Sequence, residues 1–343
     1  MKELRIKDIC DKGSSNLRQK DVEGKDGLYP VYGASGIISH IDTYHQEDNY
    51  IAIVKDGSGI GRVTFMPAKS SVIGTMQYIL PKKGFDINYI GYCLQSLDLS
   101  KYKQGAAIPH IYFRDYGERI VNVTEDINEQ QSIVAYLDSA FAKIDAMKAN
   151  AEKVLNEAQA LFQASLKEML EPKEGWEEKK LGEILNLRRG HDLTHSQMKG
   201  SDYPVAGSNG QIGTHNCCTP ISPCITVGRS GTVGAVNIYK ECWAHNTTLY
   251  IDDFKGNYPN YLYYLLLSID LAHLNSGSAV PTLNRNFIHP LVVPFVKDDN
   301  KQQSIVATLD SLKSKVDKLQ ANYDKISQEC DALKQSILRQ VFE

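Results

Sequence analysis

The sequence contains one phrase twice, and this duplication limits the possible folds more than any other feature. Residues 130–145 read QQSIVAYLDSAFAKID, and residues 302–317 read QQSIVATLDSLKSKVD. The copies lie 172 positions apart in a chain of 343 residues. A repeat at half the chain length indicates two versions of one structural unit.

The turn sequences upstream of each copy repeat as well. The matching stretches are 29–36 with 203–210, 54–63 with 227–236, and 105–109 with 277–281. Glycines, prolines and apolar residues agree between the halves, while the polar residues mostly differ, as with Lys55-Asp56 against Gly228-Arg229. One scaffold with two sets of polar residues is expected of two modules that recognise two different targets.

Each half begins with short apolar runs separated by glycine, a pattern that predicts strands joined by tight loops. The spacing of apolar residues also predicts one short helix in each half. The predicted strands are 50–54, 61–65, 224–227 and 234–238, and the predicted short helices are 88–97 and 261–271. The fold class is therefore predicted to be α+β, with two similar mixed α/β globules.

A long helical pattern follows each globule. Apolar or small residues recur at alternating steps of four and three, which places them in one narrow stripe typical of a coiled-coil seam. The predicted seam residues are Ile133, Leu137, Ile144, Val154, Leu161, Ile305, Leu309, Leu312, Val316, Leu319, Ile326, Leu333 and Ile337. At about 1.5 Å per residue, the stretch 302–337 spans roughly 50 Å as a helix. Because neither helix could stably expose such a stripe, we expect the two helices to pair.

Composition and charge exclude several classes of protein. No apolar run reaches the roughly 18 residues of a membrane-spanning helix, and the first residues lack the continuous apolar segment of a signal peptide. The seven scattered cysteines favour reduced thiols over a disulfide framework. We therefore expect a soluble cytoplasmic protein. The formal net charge of -3 gives no general attraction to nucleic acid, so a DNA-binding surface must be local or completed by a partner.

With these features the chain resembles the specificity subunits of Type I restriction-modification systems. The resemblance rests on the order globule, long helix, globule, long helix, on the helix starts QQSIVAYLD and QQSIVATLD, and on the turns YPVYGASG and YPVAGSNG. It covers essentially the full length. It implies target recognition domains at residues 1–126 and 172–300, and long spacer helices at 127–171 and 301–343.

The resemblance also implies a function and partners. Each globule would read one half of a split, asymmetric target in double-stranded DNA, and the helices would form an antiparallel coiled coil between them. Two methyltransferase subunits would dock there, and a restriction and translocation subunit could join. S-adenosylmethionine and ATP would bind to those partners, and this chain would hold no cofactor. Two similar domains related by an approximate two-fold axis also suit two half-sites about one to one and a half DNA turns apart.

Residues that contact DNA are expected beside the glycine-rich loops, where backbone can approach phosphate and Arg or Lys can reach base edges. Amide side chains at matching places of the two halves suit adenine. The candidates are Lys55, Ser58, Arg62, Gln77, Lys101, Lys103, His110, Arg188, Arg189, Arg229, Ser230, Thr232, Asn246, Thr282, Asn284 and Arg285. The alternative interpretation is structural: tight strand connections with solvated charges, and amides that bond the backbone of their own strands.

Several other chemistries do not fit the sequence. The glycine run at 57–61 is followed by no Gly-Lys-Ser/Thr, which excludes a P-loop, and its spacing misses the dinucleotide fingerprint. The cysteines and histidines between residues 215 and 245 contain no C-x2-C pair and have no counterparts in the first half, which argues against zinc. The sequence has no Asn-Pro-Pro-Tyr-like methyltransferase motif and no Walker lysine, so we expect no catalysis by this chain alone.

Two other functions fit the same pattern. The specificity module of a methylation-only or nuclease-free defence complex would differ only in its partners. A structural coiled-coil adaptor, with globules that bind protein or glycan, is favoured by the modest net charge. A bipartite adenine methylation mark would distinguish DNA recognition from the adaptor.

Overall fold

The structure is a computed structural model that describes residues 1–105, 109–274 and 281–343. The chain divides into two compact units. The first unit consists of Met1–Ala151 and Tyr323–Glu343, and the second unit consists of Glu152–Asn322. Each unit therefore contains one globule together with a segment of each long helix.

The globule of the first unit is a mixed α/β structure. Its described strands are β1 Lys2–Arg5, β2 Cys10–Ser14, β3 Tyr29–Gly33, β4 Gly36–Ile41, β5 Tyr50–Val54, β6 Val63–Met66, β7 Ser71–Val72, β8 Met76–Pro81 and β9 Ile120–Val123. The helices are α1 Ile6–Ile9, α2 Gln19–Val22, α3 Ile87–Ser96 and α4 Phe113–Tyr116, with a 3-10 turn at Leu99–Tyr102, and the long helix α5 Ile127–Leu170 follows. The sheets have the orders β2-β8-β5-β6, β4-β3-β7 and β1-β9.

The globule of the second unit repeats this topology. Its described strands are β10 Glu177–Lys180, β11 Asn186–Arg189, β12 Tyr203–Gly207, β13 Gly210–His215, β14 Cys224–Gly228, β15 Val236–Tyr239, β16 Trp243–Ala244, β17 Thr248–Asp253 and β18 Val292–Phe295. The helices are α6 Leu181–Ile184, α7 Pro259–Leu267 and α8 Arg285–Ile288, with 3-10 turns at His195–Gln197 and Leu271–Leu274, and the long helix α9 Asp299–Phe342 follows. The orders β11-β17-β14-β15, β13-β12-β16 and β10-β18 match those of the first globule strand for strand. The predicted α+β class and internal repeat are confirmed.

Of the apolar runs predicted as strands, 50–54 and 224–227 form the inner strands β5 and β14 of the two four-stranded sheets, and 61–65 and 234–238 overlap the edge strands β6 and β15. Every residue of β5 and of β14 is buried, which is why these strands are continuous apolar runs without alternation. The short helix predicted at 88–97 is α3. The helix predicted at 261–271 begins and ends earlier, as α7, because Pro259 occupies the first helical turn, where proline is favoured.

The first glutamine of the repeated phrase attaches each long helix to its globule. Gln130 is fully buried, and its Oε1 accepts a hydrogen bond from the Asp86 backbone N–H at 2.6 Å. Its Nε2 donates to the carbonyl oxygens of Thr124 at 2.9 Å and Gly84 at 3.1 Å. The side chain therefore pairs backbone groups that burial would otherwise leave without a partner.

Gln302 has the same role in the second unit. It is fully buried, and its Oε1 accepts from the Tyr258 backbone N–H at 3.0 Å while its Nε2 donates to the Val296 carbonyl at 2.8 Å. The aspartate of the phrase also contacts the globule, because the Tyr264 hydroxyl donates to Asp310 Oδ1 at 2.6 Å. The first glutamine and the aspartate of this copy are thus explained by their contacts with the globule.

Each globule packs against the start of the helix that follows it and the end of the other helix. In the first unit, Leu137 of α5 shares a core with Leu338 and Phe342 of α9. In the second unit, Leu309 of α9 shares a core with Leu166 of α5. Among the described residues, no helix combines the length and the apolarity needed to cross a membrane.

The two long helices run antiparallel within the first unit. Lys334 Nζ of α9 lies 2.6 Å from Asp145 Oδ1 of α5, and Asp331 Oδ1 lies 3.4 Å from Lys148 Nζ. The residue number rises along one helix as it falls along the other. The exposed ion pairs contribute little stability, so the buried side chains between them hold the pair together.

The exposure of residues in α5 corrects part of the predicted seam. Val154 is 50% exposed and Leu161 is 61% exposed, whereas Leu155 is 5% and Phe162 is 8% exposed. The prediction that Val154 and Leu161 lie in the seam is therefore wrong, and the buried stripe passes one residue later. The stripe through Val154 and Leu161 and the stripe through Leu155 and Phe162 both consist of apolar residues. The helical period of 3.6 residues fits either one, so the surface against which the helix packs determines which stripe is buried.

The prediction is also wrong for one seam residue of α9. Leu333 is 48% exposed, and the partly buried residue beside it is Lys334, whose Nζ lies 5.4 Å from the centre of the Phe141 ring. The aliphatic stem of a lysine can cover apolar surface while its charge stays in water. The other predicted seam residues lie at buried or partly buried positions: Ile133, Leu137, Ile144, Ile305, Leu309, Leu312, Val316, Leu319, Ile326 and Ile337.

Candidate nucleic-acid interface

A tight glycine loop joins β5 to β6 in the first unit. Gly57, Gly59 and Gly61 have positive φ angles of 84°, 84° and 85°. A Cβ on Gly61 would lie 2.8 Å from the Ser100 backbone nitrogen, so glycine is required there for space as well as conformation. The loop closes through a hydrogen bond from Gly61 N–H to the Val54 carbonyl at 2.8 Å.

The loop between β14 and β15 has the same construction in the second unit. Gly231 and Gly234 have φ angles of 87° and 84°, and Gly234 N–H donates to the Gly228 carbonyl at 2.8 Å. A Cβ on Gly234 would lie 2.7 Å from the Ala272 nitrogen. This second loop is one residue shorter than the first between the two hydrogen-bonded positions.

The hydrogen bonds correct the sequence match between the loops. The Lys55 N–H donates to Thr75 O at 3.0 Å, and the Arg229 N–H donates to Thr247 O at 2.8 Å. Lys55 therefore corresponds to Arg229, whereas the sequence match paired Asp56 with Arg229. The shorter second loop causes the error, because matching the last glycines shifts the preceding strand by one residue. Both units thus place a basic residue at this strand end.

In each unit the loop meets a second candidate segment. Asp56 pairs with His110 as an isolated bridge, and Ser230 pairs with Thr282 in the same way. The carbonyl of Lys55 accepts from Ile111 N–H at 2.9 Å, and that of Arg229 accepts from Leu283 N–H at 2.8 Å. The structure brings together two stretches that were selected separately in the sequence. Of the Gly-x-x-x-Pro turns, residues 106–108 and 277–280 lie outside the described residues.

A cavity of about 360 Å³ opens at this place in the second unit. It is lined by Arg188, Arg189, Arg229, Leu249, Asn284 and Arg285. The two arginines of β11 reach it because β11 pairs with β17, which in turn pairs with β14 just before Arg229. Arg285 reaches it from the first turn of α8, whose N-cap is Asn284. Five sequence-predicted residues from three separate segments therefore meet.

Three of the four guanidinium groups have neighbours that orient them. Arg188 Nη1 lies 3.9 Å from Asp252 Oδ2, and Arg189 Nη2 donates to Asp192 Oδ1 at 2.8 Å. Arg285 Nη1 donates to the Leu187 carbonyl at 3.2 Å. Arg229 has no such neighbour: in the described part of the chain, its guanidinium makes neither an ion pair nor a side-chain hydrogen bond.

Asn246 contacts the carboxylate that orients Arg189. Its Nδ2 donates to Asp192 Oδ1, the same atom that accepts from Arg189. The hydrogen bond from Asn246, and then the nearby charge of Arg189, lower the pKa of Asp192. Asn246 was predicted to read adenine, but its amide N–H donates to Asp192, the carboxylate that positions Arg189.

The first unit has different side chains at the same positions. By strand register, Gly13 and Ser14 of the first unit correspond to Arg188 and Arg189 of the second. By position at the start of the short helix, Tyr112 and Phe113 of α4 correspond to Asn284 and Arg285 of α8. Instead of an arginine cluster there is a smaller polar group. His110 Nδ1 lies 2.6 Å from Asp56 Oδ1, and the His110 ring stacks on Tyr112 at 6.2 Å between centroids.

Tyr112 and Arg114 were missed in the sequence. Tyr112 is 43% exposed, and the Arg114 guanidinium carbon lies 4.7 Å from its ring centre, a cation–π contact beside His110. The repeat could have identified Tyr112, because the offset that pairs His110 with Thr282 also pairs Tyr112 with the candidate Asn284. An exposed aromatic ring with a cation beside it is a surface on which a base can stack.

The prediction of a DNA contact for Gln77 is wrong. Gln77 is 6% exposed, and its Oε1 accepts a hydrogen bond from the Tyr116 hydroxyl at 2.7 Å. It lies on β8 between β2 and β5, so its amide serves the core. The structural interpretation applies here, and the corresponding residue of the second unit is the apolar Leu249.

The remaining candidates lie at the surface of their units. Arg62 is exposed, donates from Nη2 to the Ala34 carbonyl at 2.6 Å, and lines a separate cavity of about 550 Å³ with Asp98 and Arg339. Ser58, Lys101, Lys103 and Thr232 are exposed, while Lys55, Ser230 and Thr282 are partly buried. Their contact with DNA stays a prediction.

The second globule contains several cysteines and histidines between residues 215 and 245. In the described residues, no three His, Cys, Asp or Glu side chains are grouped so as to hold an ion. A hydrogen bond with Cys224, and then burial, raise the pKa of the Cys242 thiol, and burial likewise raises the pKa of Cys10 in the first globule to about 12. These buried thiols are protonated at neutral pH, which makes them poor metal ligands.

The family model described as the Type I restriction modification DNA specificity domain matches residues 1–157 and again residues 173–328. The protein therefore belongs to this family, whose role is DNA specificity rather than catalysis. Each of the two matches contains one copy of the loop arrangement described above. DNA recognition in a Type I restriction-modification system is the function that the family defines for this chain.

Solved structures show the same fold at low sequence identity. The Type I restriction-modification S subunit from M. genitalium has 18% identity and a TM-score of 0.51, covering 100% of this chain and 96% of that chain. A structure described as the structural basis of complex assembly and conformational transition of the type I R-M system has 16% identity and a TM-score of 0.72, covering 98% of this chain and 96% of that chain. No curated protein sequence matches the chain.

Proposed function

We propose that the chain recognises an asymmetric, bipartite DNA target, with one half-site read by each globule. The observation that carries this proposal is the pair of loops at Lys55 and Arg229. The same backbone hydrogen bonds hold both loops, yet the side chains around them differ in charge, size and aromaticity. A common scaffold with unlike contact surfaces suits two different base sequences.

The proposed recognition domains are residues 1–126 and 172–300, and the proposed spacer helices are 127–171 and 301–343. The proposed contact residues are the surface candidates named above, together with Tyr112 and Arg114. Cationic side chains from strand ends and loops can contact phosphate for affinity and base edges for specificity. The net charge of -3 means that these local groups must provide the attraction to DNA.

The proposed partners are two methyltransferase subunits, which a restriction and translocation subunit can join. The support lies in the repeated phrase. Gln131, Ser132, Ala135 and Ser139 are exposed in the first copy, and the second copy exposes the same four residue types at Gln303, Ser304, Ala307 and Ser311. Packing does not require these exposed residues to be identical, so two equivalent docking surfaces explain them better.

In this proposal the chain contributes no catalytic group. S-adenosylmethionine and ATP belong to the partner subunits, and the whole complex acts in the cytoplasm. The long helices set the permitted spacer between the half-sites. Removal of one heptad from each helix would shorten them by about 10 Å, the length of about three base pairs. We expect the preferred spacer to change while both half-sites stay the same.

The test is co-expression of the chain with the methyltransferase subunit of its host, followed by sequencing of methylated adenines. We expect a bipartite mark that disappears when this chain is omitted. The heptad-deleted variant should keep both half-sites and change only the spacer. A methylation pattern that does not depend on this chain would contradict the proposal and favour a structural adaptor.

A further inference from the structure

The second unit concentrates its arginines in one place. The segment 152–322 contains four arginines, and all four line the cavity beside the glycine loop. The same segment contains thirteen lysines, and within the described part of the chain none of them lines that cavity. The cations that line the cavity are therefore all arginines. A need for positive charge alone would not explain this, because lysine supplies the same charge.

The two cations differ in what they recognise. A lysine ammonium is a point charge that serves phosphate well, whereas the planar guanidinium presents a fork of donors in fixed geometry. In the DNA major groove, only guanine offers two neighbouring acceptors, O6 and N7, and the bidentate contact from Arg is the commonest specific one. A cavity lined by Arg to the exclusion of Lys is suited to a guanine edge.

Arg229 is the arginine best placed for this contact. Its backbone is held on both sides, through Thr247 O at 2.8 Å and Leu283 N at 2.8 Å, so the start of its side chain is fixed. Its guanidinium makes neither an ion pair nor a side-chain hydrogen bond with a described residue, so all its donors are available. Arg188 and Arg189 have carboxylate neighbours beside their guanidinium nitrogens, which leaves them less free than Arg229 to form a bidentate contact with a base.

We propose that the second globule reads a guanine in the major groove through Arg229, and that Arg188, Arg189 and Arg285 position the DNA around it. This inference rests on the proposed function and adds the base that one half-site contains. The first globule has Lys55 at the corresponding position and no arginine at Gly13, Ser14 or Phe113. This contact therefore has no counterpart at the matching positions of the first globule.

The first experiment uses the chain in complex with its methyltransferase subunit and synthetic duplexes of the methylated sequence. Each guanine of each half-site is replaced in turn by 7-deazaguanine, which lacks the N7 acceptor, or by inosine, which lacks only the minor-groove amino group. One guanine in one half-site should lose about 10- to 100-fold in affinity with 7-deazaguanine and little with inosine. Equal losses for both analogues, or none for either at every position, would overturn the proposal.

The second experiment assigns that guanine to Arg229. Arg229→Ala should remove the sensitivity to 7-deazaguanine at that position and admit other bases there in the methylated sequence. Arg229→Lys keeps the charge and loses the fork, so it should relax the same position while leaving the salt dependence of binding unchanged. Lys240→Ala removes one charge from an exposed residue outside the cavity and should change neither the base preference nor the 7-deazaguanine effect.

The possible results separate this inference from the function on which it rests. If Arg229→Lys methylates the same bipartite sequence as the wild-type chain, with an unchanged base requirement at every position, Arg229 contacts phosphate, which overturns the guanine contact and leaves DNA recognition intact. Absence of any mark dependent on the wild-type chain would overturn both. If Arg229→Ala fails to fold, the analogue measurements on the wild-type complex and on Arg229→Lys still decide.

Discussion

The two globules share a scaffold but differ in the side chains that it presents. Their sheets have the same strand order, and their glycine loops close through the same hydrogen bonds. Around the loop, however, the second globule has four arginines that line one cavity, where the first has Lys55, Arg62 and Arg114 beside a His110–Asp56 pair and the exposed Tyr112. Glycine, proline and buried apolar residues determine the fold, and the loop surface varies because little of it is needed for packing.

The largest expected effect is a loss of stability on truncation of the residues that the long helices bury in the two units, in place of the seam residues predicted from the sequence. Phe162→Ala in the second unit and Leu338→Ala in the first should each lower the free energy of unfolding by about 3 kcal/mol or more, because each leaves a cavity in a core. The exposed neighbours Leu161→Ala and Leu333→Ala should change it by less than about 0.5 kcal/mol. Denaturant unfolding measures all four, and equal losses within either pair would restore the register predicted from sequence.

The next effect compares the two buried glutamines. Gln130→Leu should cost about 3 kcal/mol and Gln302→Leu about 2 kcal/mol, because the first leaves three backbone groups without a partner and the second leaves two. Chemical denaturation of each variant measures the difference. The adjacent exposed residues provide controls, and Gln131→Leu and Gln303→Leu should be nearly neutral. A larger loss for Gln302 would show that the two attachments are not equivalent.

A smaller effect concerns the charge of the first loop. Asp56→Ser gives this loop the residue that Ser230 provides in the second unit and removes a carboxylate beside Lys55. DNA affinity should rise roughly two- to five-fold at low salt and approach the wild-type value at high salt, because exposed charges are screened. The measurement is a salt titration of DNA binding by the methyltransferase complex. Asp48→Ser, an exposed acidic control, should have less effect, and a loss of affinity for Asp56→Ser would mean that the carboxylate positions His110 for a contact.

The smallest expected effect is a pH response confined to the second unit. His289 Nε2 accepts a hydrogen bond from the Leu187 N–H at 3.0 Å, and burial, followed by the charges of Arg285 and Lys255, lowers the pKa of His289 below 6.5. The unfolded chain then binds a proton more readily than the folded one. Stability should therefore fall as pH drops below about 6.5 and level off below the folded pKa, by less than about 1 kcal/mol after solvent screening.

Hydrogen exchange at pH 7.5 and 5.5, corrected for the intrinsic rate, should locate this response. The Leu187 amide should lose protection at the lower pH, and His289→Gln should reduce the change. The first unit provides an internal comparison, because Gly117 occupies the matching place at the end of α4 and has no side chain to titrate. An equal loss of protection in both units would exclude His289 as the cause.

The sequence predicted the scaffold well because its signals are local. The strand 50–54 and the strand 224–227 are short apolar runs bounded by turns, and the repeat confirmed each assignment from a second copy. The seam at Val154 and Leu161 could not be fixed from one helix, since the apolar residues beside them fit a similar stripe. The choice depends on which face the other elements cover, and periodicity does not contain that information.

The candidate site was predicted only in part, for a related reason. The arginines at 188, 229 and 285 were selected one by one, but the cavity that joins them depends on the pairing of β11 with β17 and of β17 with β14. Gln77 and Arg188 were both polar residues on strands, and only their burial separates a core amide from a surface cation. The one-residue difference in loop length was hidden by the matching glycines.

The order of synthesis gives the division of the long helices a further consequence. Residues of α9 near its end, Leu338 and Phe342, complete the core of the first globule, where the Phe342 ring lies 5.3 Å from that of Tyr89. The first globule is therefore synthesised before the second, but its core can close only after residues 338–342 have been made. The second globule needs only residues up to about Val316, so it can finish folding earlier. A nascent chain stalled before residue 338 should carry a protease-resistant second globule and a first globule that is still open to cleavage.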